Sequence, residues 1–107
     1  MSEFVKVADV GEAPEGAGIM VQLNGKEVAI FLVDGSYYAL DNACPHAGGP
    51  LADGFLEGSV VTCPWHMWQF DVRNGACTFD ESICVDSYQV RVDGEAILLA
   101  HSPKQGA

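Results

Sequence analysis

The chain has 107 residues, which is enough for one domain with its own core and too few for two. Apolar residues make up 49% and charged residues 19%, a composition that excludes a largely disordered chain. Fifteen acidic and five basic residues give a formal net charge of −10, which opposes binding to nucleic acid or to an anionic membrane surface and favours basic protein partners. We therefore expect a single globular domain over residues 1–107.

The first ten residues do not have the pattern of a signal peptide, because Glu3, Lys6 and Asp9 interrupt them. No later apolar run approaches the roughly 20 residues that a membrane-spanning helix needs. We expect a cytoplasmic protein without a membrane anchor.

Turn-forming dipeptides recur along the chain and predict an all-β fold. Asn-Gly or Asp-Gly pairs begin at residues 24, 34, 53, 74 and 93, and each can supply the positive φ angles of a tight hairpin. The sequence pattern predicts an edge strand at Phe4–Val7, a loop at Val10–Gly18 and a frayed tail at residues 101–107. It predicts no helix. The fold class is an antiparallel β-sandwich or barrel. Seven further strands are predicted at Ile19–Leu23, Val28–Val33, Tyr37–Leu40, Val60–Thr62, Trp68–Val72, Tyr88–Val92 and Ala96–Leu99.

Two stretches do not have a strand pattern, at residues 43–51 and 62–68, and each holds Cys-Pro followed closely by histidine. Thiolates are soft donors and neutral imidazoles are harder, weaker ones, so two of each suit a metal held at an intermediate potential. Two short loops with a ligand pair each are expected to form a small metal-binding subdomain that could clamp one metal centre. The predicted ligands are Cys44, His46, Cys63 and His66.

A mononuclear zinc site is the main alternative, because zinc accepts two cysteines and two histidines in tetrahedral geometry. Common zinc sites pair Cys with Cys and His with His along the chain. Here each loop contributes one of each, which argues against a structural zinc module.

The two loops resemble those of the Rieske [2Fe–2S] proteins, whose pattern is CxHxGxxL followed by CPxHxxxF. Every fixed position of the pattern is filled, by Cys44, His46, Gly48 and Leu51 in the first loop and by Cys63, Pro64, His66 and Phe70 in the second. The resemblance implies one [2Fe–2S] cluster per chain. It also implies that Cys44 and Cys63 bind the buried iron, that His46 and His66 bind the outer iron through Nδ1, and that an electron leaves by the histidine edge.

Comparison with the high-potential members of that family implies a low-potential subtype. Those members carry a disulfide between the loops, where Gly49 and Trp65 stand here. They also place serine and tyrosine hydroxyls where Trp68 and Phe70 stand, so the reduction potential is expected near the low end of the Rieske range, about −150 mV. The two remaining cysteines are expected to be buried free thiols, Cys77 and Cys84.

The resemblance implies a soluble one-electron carrier rather than an enzyme. It would pass electrons from an NAD(P)H-dependent flavin reductase to a terminal oxygenase that hydroxylates aromatic rings, and its partners would dock through basic surfaces. The alternative is a small Rieske subunit of an NAD(P)H nitrite reductase. Candidates for the docking surface are the apolar residues beside the histidines, Ala47, Gly48, Gly49, Pro50, Trp65 and Met67.

Overall fold

The structure is a computed structural model that describes residues 4–12, 15–23, 25–43, 49–65 and 67–100. Two single 3₁₀ turns lie at Val10–Glu12 and Leu51–Asp53, and no helix within the described ranges is long and apolar enough to cross a membrane. The strands are β1 (Phe4–Asp9), β2 (Gly18–Leu23), β3 (Lys26–Val33), β4 (Ser36–Asp41), β5 (Phe55–Glu57), β6 (Val60–Thr62), β7 (Gln69–Asp71), β8 (Ser87–Tyr88), β9 (Val90–Asp93) and β10 (Ala96–Ala100).

The strands form three antiparallel sheets, with the orders β1-β10-β9, β2-β3-β4-β8 and β5-β6-β7. Strand β3 is the centre of the packing because alternate side chains point to opposite faces of a strand. Val28 and Ile30 belong to a core shared with β1 and β10, whereas Ala29 and Phe31 belong to a second core shared with β6 and β7. The second core also contains Cys63, one of the predicted metal ligands. The predicted all-β antiparallel class is confirmed.

The dipeptide signals locate most of the hairpins correctly. Asp34 and Gly35 both have positive φ, 50° and 80°, as a two-residue type I′ turn requires, and they join β3 to β4. The prediction for Asp53-Gly54 is wrong. Gly54 has a φ of −77° and its N–H donates to the carbonyl oxygen of Leu51 at 2.9 Å, so the pair ends a 3₁₀ turn.

Two further sequence predictions need correction. The single strand predicted over Tyr88–Val92 is broken at Gln89, because β8 pairs with β4 while β9 pairs with β10 in a different sheet. Strand β5 was not predicted, because Phe55–Glu57 has none of the β-branched residues that mark the equally short Val60–Thr62. The predicted loop at 10–18 contains a 3₁₀ turn, and β2 already begins at Gly18. The tail at 101–107 lies outside the described residues.

Candidate metal centre

Of the four predicted metal ligands, Cys63 lies within the described part of the chain. Cys44, His46 and His66 lie outside the described residues, as do two docking candidates, Ala47 and Gly48. The described ranges alone contain no group of three side chains that could hold a metal ion. They do define the bases of both loops and the contact between them.

The first loop is closed at its base by backbone contacts. Ala43 and Pro50 form an antiparallel bridge, and the N–H of Leu51 donates to the carbonyl oxygen of Asn42 at 2.7 Å. The end of β4 and the 3₁₀ turn at Leu51–Asp53 therefore hold the two ends of the loop together.

A buried asparagine reinforces that closure. Asn42 is 4% exposed, and its Oδ1 accepts a hydrogen bond from the N–H of Ala52 at 2.8 Å. Its backbone N–H and its Nδ2 both donate to Glu27 on β3, at 3.0 Å and 3.5 Å. One side chain thus ties both ends of the first loop to the central strand. The sequence reasoning missed this residue, because an asparagine after a strand is an ordinary turn signal.

The second loop joins β6 to β7. Its first and last residues are linked by a hydrogen bond of 2.7 Å from the N–H of Cys63 to the carbonyl oxygen of Trp68. Between them, Met67 has a φ of 63°, a left-handed conformation that costs a residue with a Cβ about 1–2 kcal/mol. Such strain persists only where the surroundings impose it, and it occurs often at functional sites.

The side chain of Cys63 is fully buried and its thiol is free of any disulfide. It lies in the core that also contains Leu51, Val61 and Phe70. A buried sulfur without a disulfide partner is therefore available on the second loop as a soft metal donor.

The two loops meet at Gly49 and Cys63. A Cβ built on Gly49 would lie 2.7 Å from Cys63 Sγ, 3.0 Å from Trp65 Cγ and 3.1 Å from Trp65 Cβ. Gly49 is buried, so no solvent-filled space is left to take a side chain. The positions that carry a disulfide in the resembled high-potential proteins are therefore in contact here, but they pack without a covalent link.

The other cysteines differ from each other. Cys77 is buried and free, as predicted, but Cys84 is exposed, so the prediction of a buried thiol is wrong there. Cys84 faces Ala76 in an isolated bridge at the surface, and its Sγ donates to the carbonyl oxygen of Glu81 at 3.4 Å. The sequence around Cys84 gave no alternation from which its orientation could be read.

The large apolar side chains in and near the second loop differ in how far they are exposed. Phe70 is fully buried in the core beneath Cys63, whereas Trp65 and Met67 are 50% and 61% exposed. Trp68 is half-buried, and its ring makes a T-shaped contact with that of Phe79, with centroids 5.0 Å apart and an angle of 80° between the planes. Phe79 was not among the sequence-predicted site residues.

The described basic side chains are already engaged, which leaves the surface strongly acidic. Lys6, Lys26 and Arg73 form ion pairs with carboxylates, at 3.0, 3.5 and 2.7 Å, and the guanidinium of Arg91 lies 5.9 Å from the ring centroid of Phe4. The hydrogen bond from Arg73 to Asp71 lowers the pKa of that carboxyl below its usual value. Among the described residues, the remaining carboxylates form no ion pair with a basic side chain.

Residues 3–89 match the family model of the Rieske [2Fe–2S] domain, and the chain belongs to this family. Over 98 residues it is 38% identical to the ferredoxin component of the naphthalene 1,2-dioxygenase system of Pseudomonas aeruginosa, covering 91% of this chain and 94% of that protein. It also superposes on the ferredoxin of carbazole 1,9a-dioxygenase from Nocardioides aromaticivorans IC177 with a TM-score of 0.86, 35% identity, and coverage of 92% and 98% of the two chains.

Two further solved structures bear on the choice of partner. One is a complex of reduced oxygenase and oxidised ferredoxin in carbazole 1,9a-dioxygenase, in which a chain matches with a TM-score of 0.86 and 25% identity over 95% of this chain and 96% of that one. The other, from Mycobacterium tuberculosis, is provisionally described as an NADH-dependent nitrite reductase small subunit, with a TM-score of 0.86, 26% identity, and coverage of 94% and 96%.

Proposed function

We propose that this protein is a one-electron carrier that takes electrons from an NAD(P)H-dependent flavin reductase and delivers them to a terminal oxygenase acting on aromatic rings. The observation that carries the proposal is the close match, over nearly the full length of both chains, to ferredoxin components of dioxygenase systems. These relatives are electron-transfer components rather than catalytic subunits, and the proposed role here is the same.

The proposed ligands of its [2Fe–2S] cluster are Cys44 and Cys63 for one iron and His46 and His66 for the other. The surroundings of Cys63 fit this role, because a free, fully buried sulfur lies where the two loops touch. When bound, the cluster supplies a one-electron couple. With two Fe(III) ions, two sulfides, two thiolates and two neutral imidazoles, the oxidised site carries no net charge.

The described residues exclude water from the cysteine side of this site. Leu51, Val61 and Phe70 pack in one core with Cys63, and the N–H of Cys63 is used by the carbonyl oxygen of Trp68. Trp68 and Phe70 carry no hydroxyl group that could stabilise the added negative charge. Both features favour a potential near the low end of the Rieske range, about −150 mV.

A role as the small subunit of a nitrite reductase is the second candidate, supported by the structural match at 26% identity. The carrier role is favoured over it, because three ferredoxin components of dioxygenase systems are 34–38% identical to this chain. The two roles differ in partner, since a nitrite reductase subunit works inside one enzyme whereas a ferredoxin dissociates between two. We place the carrier in the cytoplasm, where a reductase finds NAD(P)H.

The ligand assignment is tested by metal analysis and by a matched pair of cysteine variants. Wild-type protein is expected to hold about two iron atoms and two acid-labile sulfides per chain and to be red-brown, with a rhombic EPR signal on reduction. Cys63→Ser should lose the cluster and destabilise the adjoining core, because ligation and local folding are coupled. Cys84→Ser, at the exposed cysteine, should remain coloured. One zinc per chain without visible absorption, or a coloured Cys63→Ser protein, would contradict the assignment.

The carrier role is tested by reconstitution with the purified components of the naphthalene 1,2-dioxygenase system. NADH consumption coupled to hydroxylation of naphthalene should depend on the present protein, and should rise with its concentration. The same protein mixed with a nitrite reductase large subunit should not restore nitrite reduction. Activity in the second mixture alone would favour the nitrite reductase role.

A further inference from the structure

The segment that follows β7 brings an exposed aromatic residue to the end of the molecule that carries the Cys63 loop. The N–H of Asp71 donates to Ala76, Phe70 and Cys77 form an antiparallel bridge, and the N–H of Thr78 donates to Gln69 at 2.9 Å. This register carries the chain along β7 toward Trp68, so Phe79 emerges beside the last residue of the loop.

Phe79 is 63% exposed, which with Phe55 at 62% is among the largest exposed fractions of the large apolar side chains in the described residues. Its ring contacts that of Trp68 at a centroid distance of 5.0 Å, and the backbone of Trp68 accepts the 2.7 Å hydrogen bond from Cys63. An aromatic ring exposed to this extent next to a metal-binding loop is typical of an anchor that becomes buried on association. Together with Trp65 and Met67 it makes a third exposed apolar side chain at this end.

Two carboxylates directly follow this aromatic residue in an ordered turn. Asp80 accepts hydrogen bonds from Ser82 through Oγ at 2.6 Å and through the backbone N–H at 3.1 Å, which lower the pKa of the Asp80 carboxyl. The carbonyl oxygen of Asp80 accepts a hydrogen bond of 3.0 Å from the N–H of Ile83, and the carbonyl oxygen of Glu81 accepts one of 3.4 Å from Cys84 Sγ. Asp80 and Glu81 are exposed and have no ion pair within the described part of the chain.

We propose that Phe79, Asp80 and Glu81 form a docking surface for a basic redox partner, one whose own electron-transfer surface has an apolar recess bordered by lysine or arginine. The occupant is argued from charge complementarity: an exposed ring flanked by two negative charges fits an apolar recess with a positive rim. The inference rests on the proposed carrier function and adds to it a surface that lies outside the two ligand loops.

Ferricytochrome c is a suitable probe, because it is a basic one-electron protein whose apolar haem edge is ringed by lysines. The measurement is the second-order rate at which the dithionite-reduced protein reduces it in a stopped-flow instrument. Asp80→Asn/Glu81→Gln should lower this rate about fivefold at low ionic strength, as expected for two charges some 8 Å from a positive partner charge in water. The control Asp93→Asn/Glu95→Gln removes the same two charges from the exposed β9–β10 turn and should change the rate far less. The difference should vanish at 1 M salt, where the Debye length is about 3 Å.

Phe79→Ala tests the apolar part of the surface, with Val92→Ala on β9 as its control. We expect the rate to fall about threefold for Phe79→Ala and to stay unchanged for the control. The reduction potential of each variant is measured by voltammetry to separate docking from any change at the cluster. Suppose that the wild-type protein reduces cytochrome c, and that the two charge variants change the rate equally or not at all. This result would overturn the docking surface and leave the carrier function intact. A wild-type protein without a reducible cluster would overturn both.

Discussion

The backbone of Gly49 lies directly against the sulfur of Cys63, so close that a Cβ on Gly49 would be 2.7 Å from Sγ. The two residues belong to the two different loops that are predicted to carry the metal ligands, and they are in direct contact. The φ of Gly49 is not positive, so its backbone conformation does not call for glycine. Glycine is required here because there is no space for a side chain.

Gly49→Ala should therefore disturb the site without changing the backbone conformation it needs. The new methyl group must displace Cys63 or Trp65, and forcing an extra carbon into a packed site costs about 1–3 kcal/mol. We expect lower iron content and a shifted visible spectrum in the variant. Gly11→Ala is the control, since a Cβ there would meet nothing within 4 Å. Normal iron content and spectrum in Gly49→Ala would show that the loops can separate freely.

Asn42 should control how firmly the first loop is closed. Asn42→Ala removes the acceptor for the buried N–H of Ala52, and an unsatisfied buried donor costs about 1–3 kcal/mol. The variant should be less stable in urea and should lose iron faster to a chelator. Asn74→Ala is a matched control, because Asn74 Oδ1 accepts a similar bond of 2.9 Å from Ala76 in an exposed turn. Equal rates of iron loss in the two variants would mean that Asn42 does not hold the loop.

The sequence predicted most of the longer strands because they are runs rich in β-branched and aromatic residues that lie between turn dipeptides. Val28–Val33 is such a case, and so are Asp34 and Gly35, whose positive φ angles form the expected type I′ turn. The break at Gln89 was not predictable, since the choice between two sheets depends on which strand lies alongside. The exposed thiol of Cys84 was missed because the sequence around it has no alternation that shows which side chains face solvent.

The motif gave the chemistry of the candidate site but not its surroundings. Cys63 could be assigned from CPxHxxxF alone, whereas the roles of Asn42 and Phe79 depend on contacts with residues distant in sequence, at Glu27 and Trp68. Only the fold brings these pairs together. The lack of space for a side chain at Gly49 likewise depends on the other loop, because Cys63 and Trp65 occupy that space.

Tyr88 should give the protein a stability limit in alkali. Its hydroxyl donates to Asp41 Oδ1 at 2.6 Å, and burial together with this bond raises the pKa of Tyr88 well above its ordinary value. Since the pKa is higher in the folded than in the unfolded chain, this stabilisation is complete below about pH 10 and is lost as pH rises beyond it.

Tyr88→Phe should lower the free energy of unfolding at pH 8 by about 1–2 kcal/mol, measured by urea denaturation. At pH 11 the difference from wild type should be smaller, because the unfolded wild-type tyrosine then releases its proton. Tyr37→Phe removes only a bond of 3.4 Å to the carbonyl oxygen of Val10 and should cost less at pH 8. An equal difference at both pH values would show that Tyr88 titrates normally in the folded state.

Phe70→Tyr tests whether the missing hydroxyl sets the potential. Phe70 is fully buried in the core that holds Cys63, so a new hydroxyl there must find an acceptor within that core. If the hydroxyl reaches the cysteine sulfur, it stabilises the reduced cluster, which carries the extra negative charge, and the potential rises. A hydrogen bond to a charged acceptor contributes about 1.5–3 kcal/mol. Only its strengthening on reduction changes the potential, about 1–2 kcal/mol, or roughly 45–85 mV for one electron.

Trp68→Ser would act in the same direction but is a poorer probe of the hydroxyl. Trp68 is half-buried and packs against Phe79, so its loss opens a path for water, which would itself raise the potential by solvating the added charge. Phe70→Tyr keeps the ring and therefore isolates the hydroxyl. Protein-film voltammetry of the wild type and of this variant decides the question. A shift below about 20 mV with an intact cluster spectrum would mean that the hydroxyl does not reach the sulfur, and that position 70 does not explain a low potential.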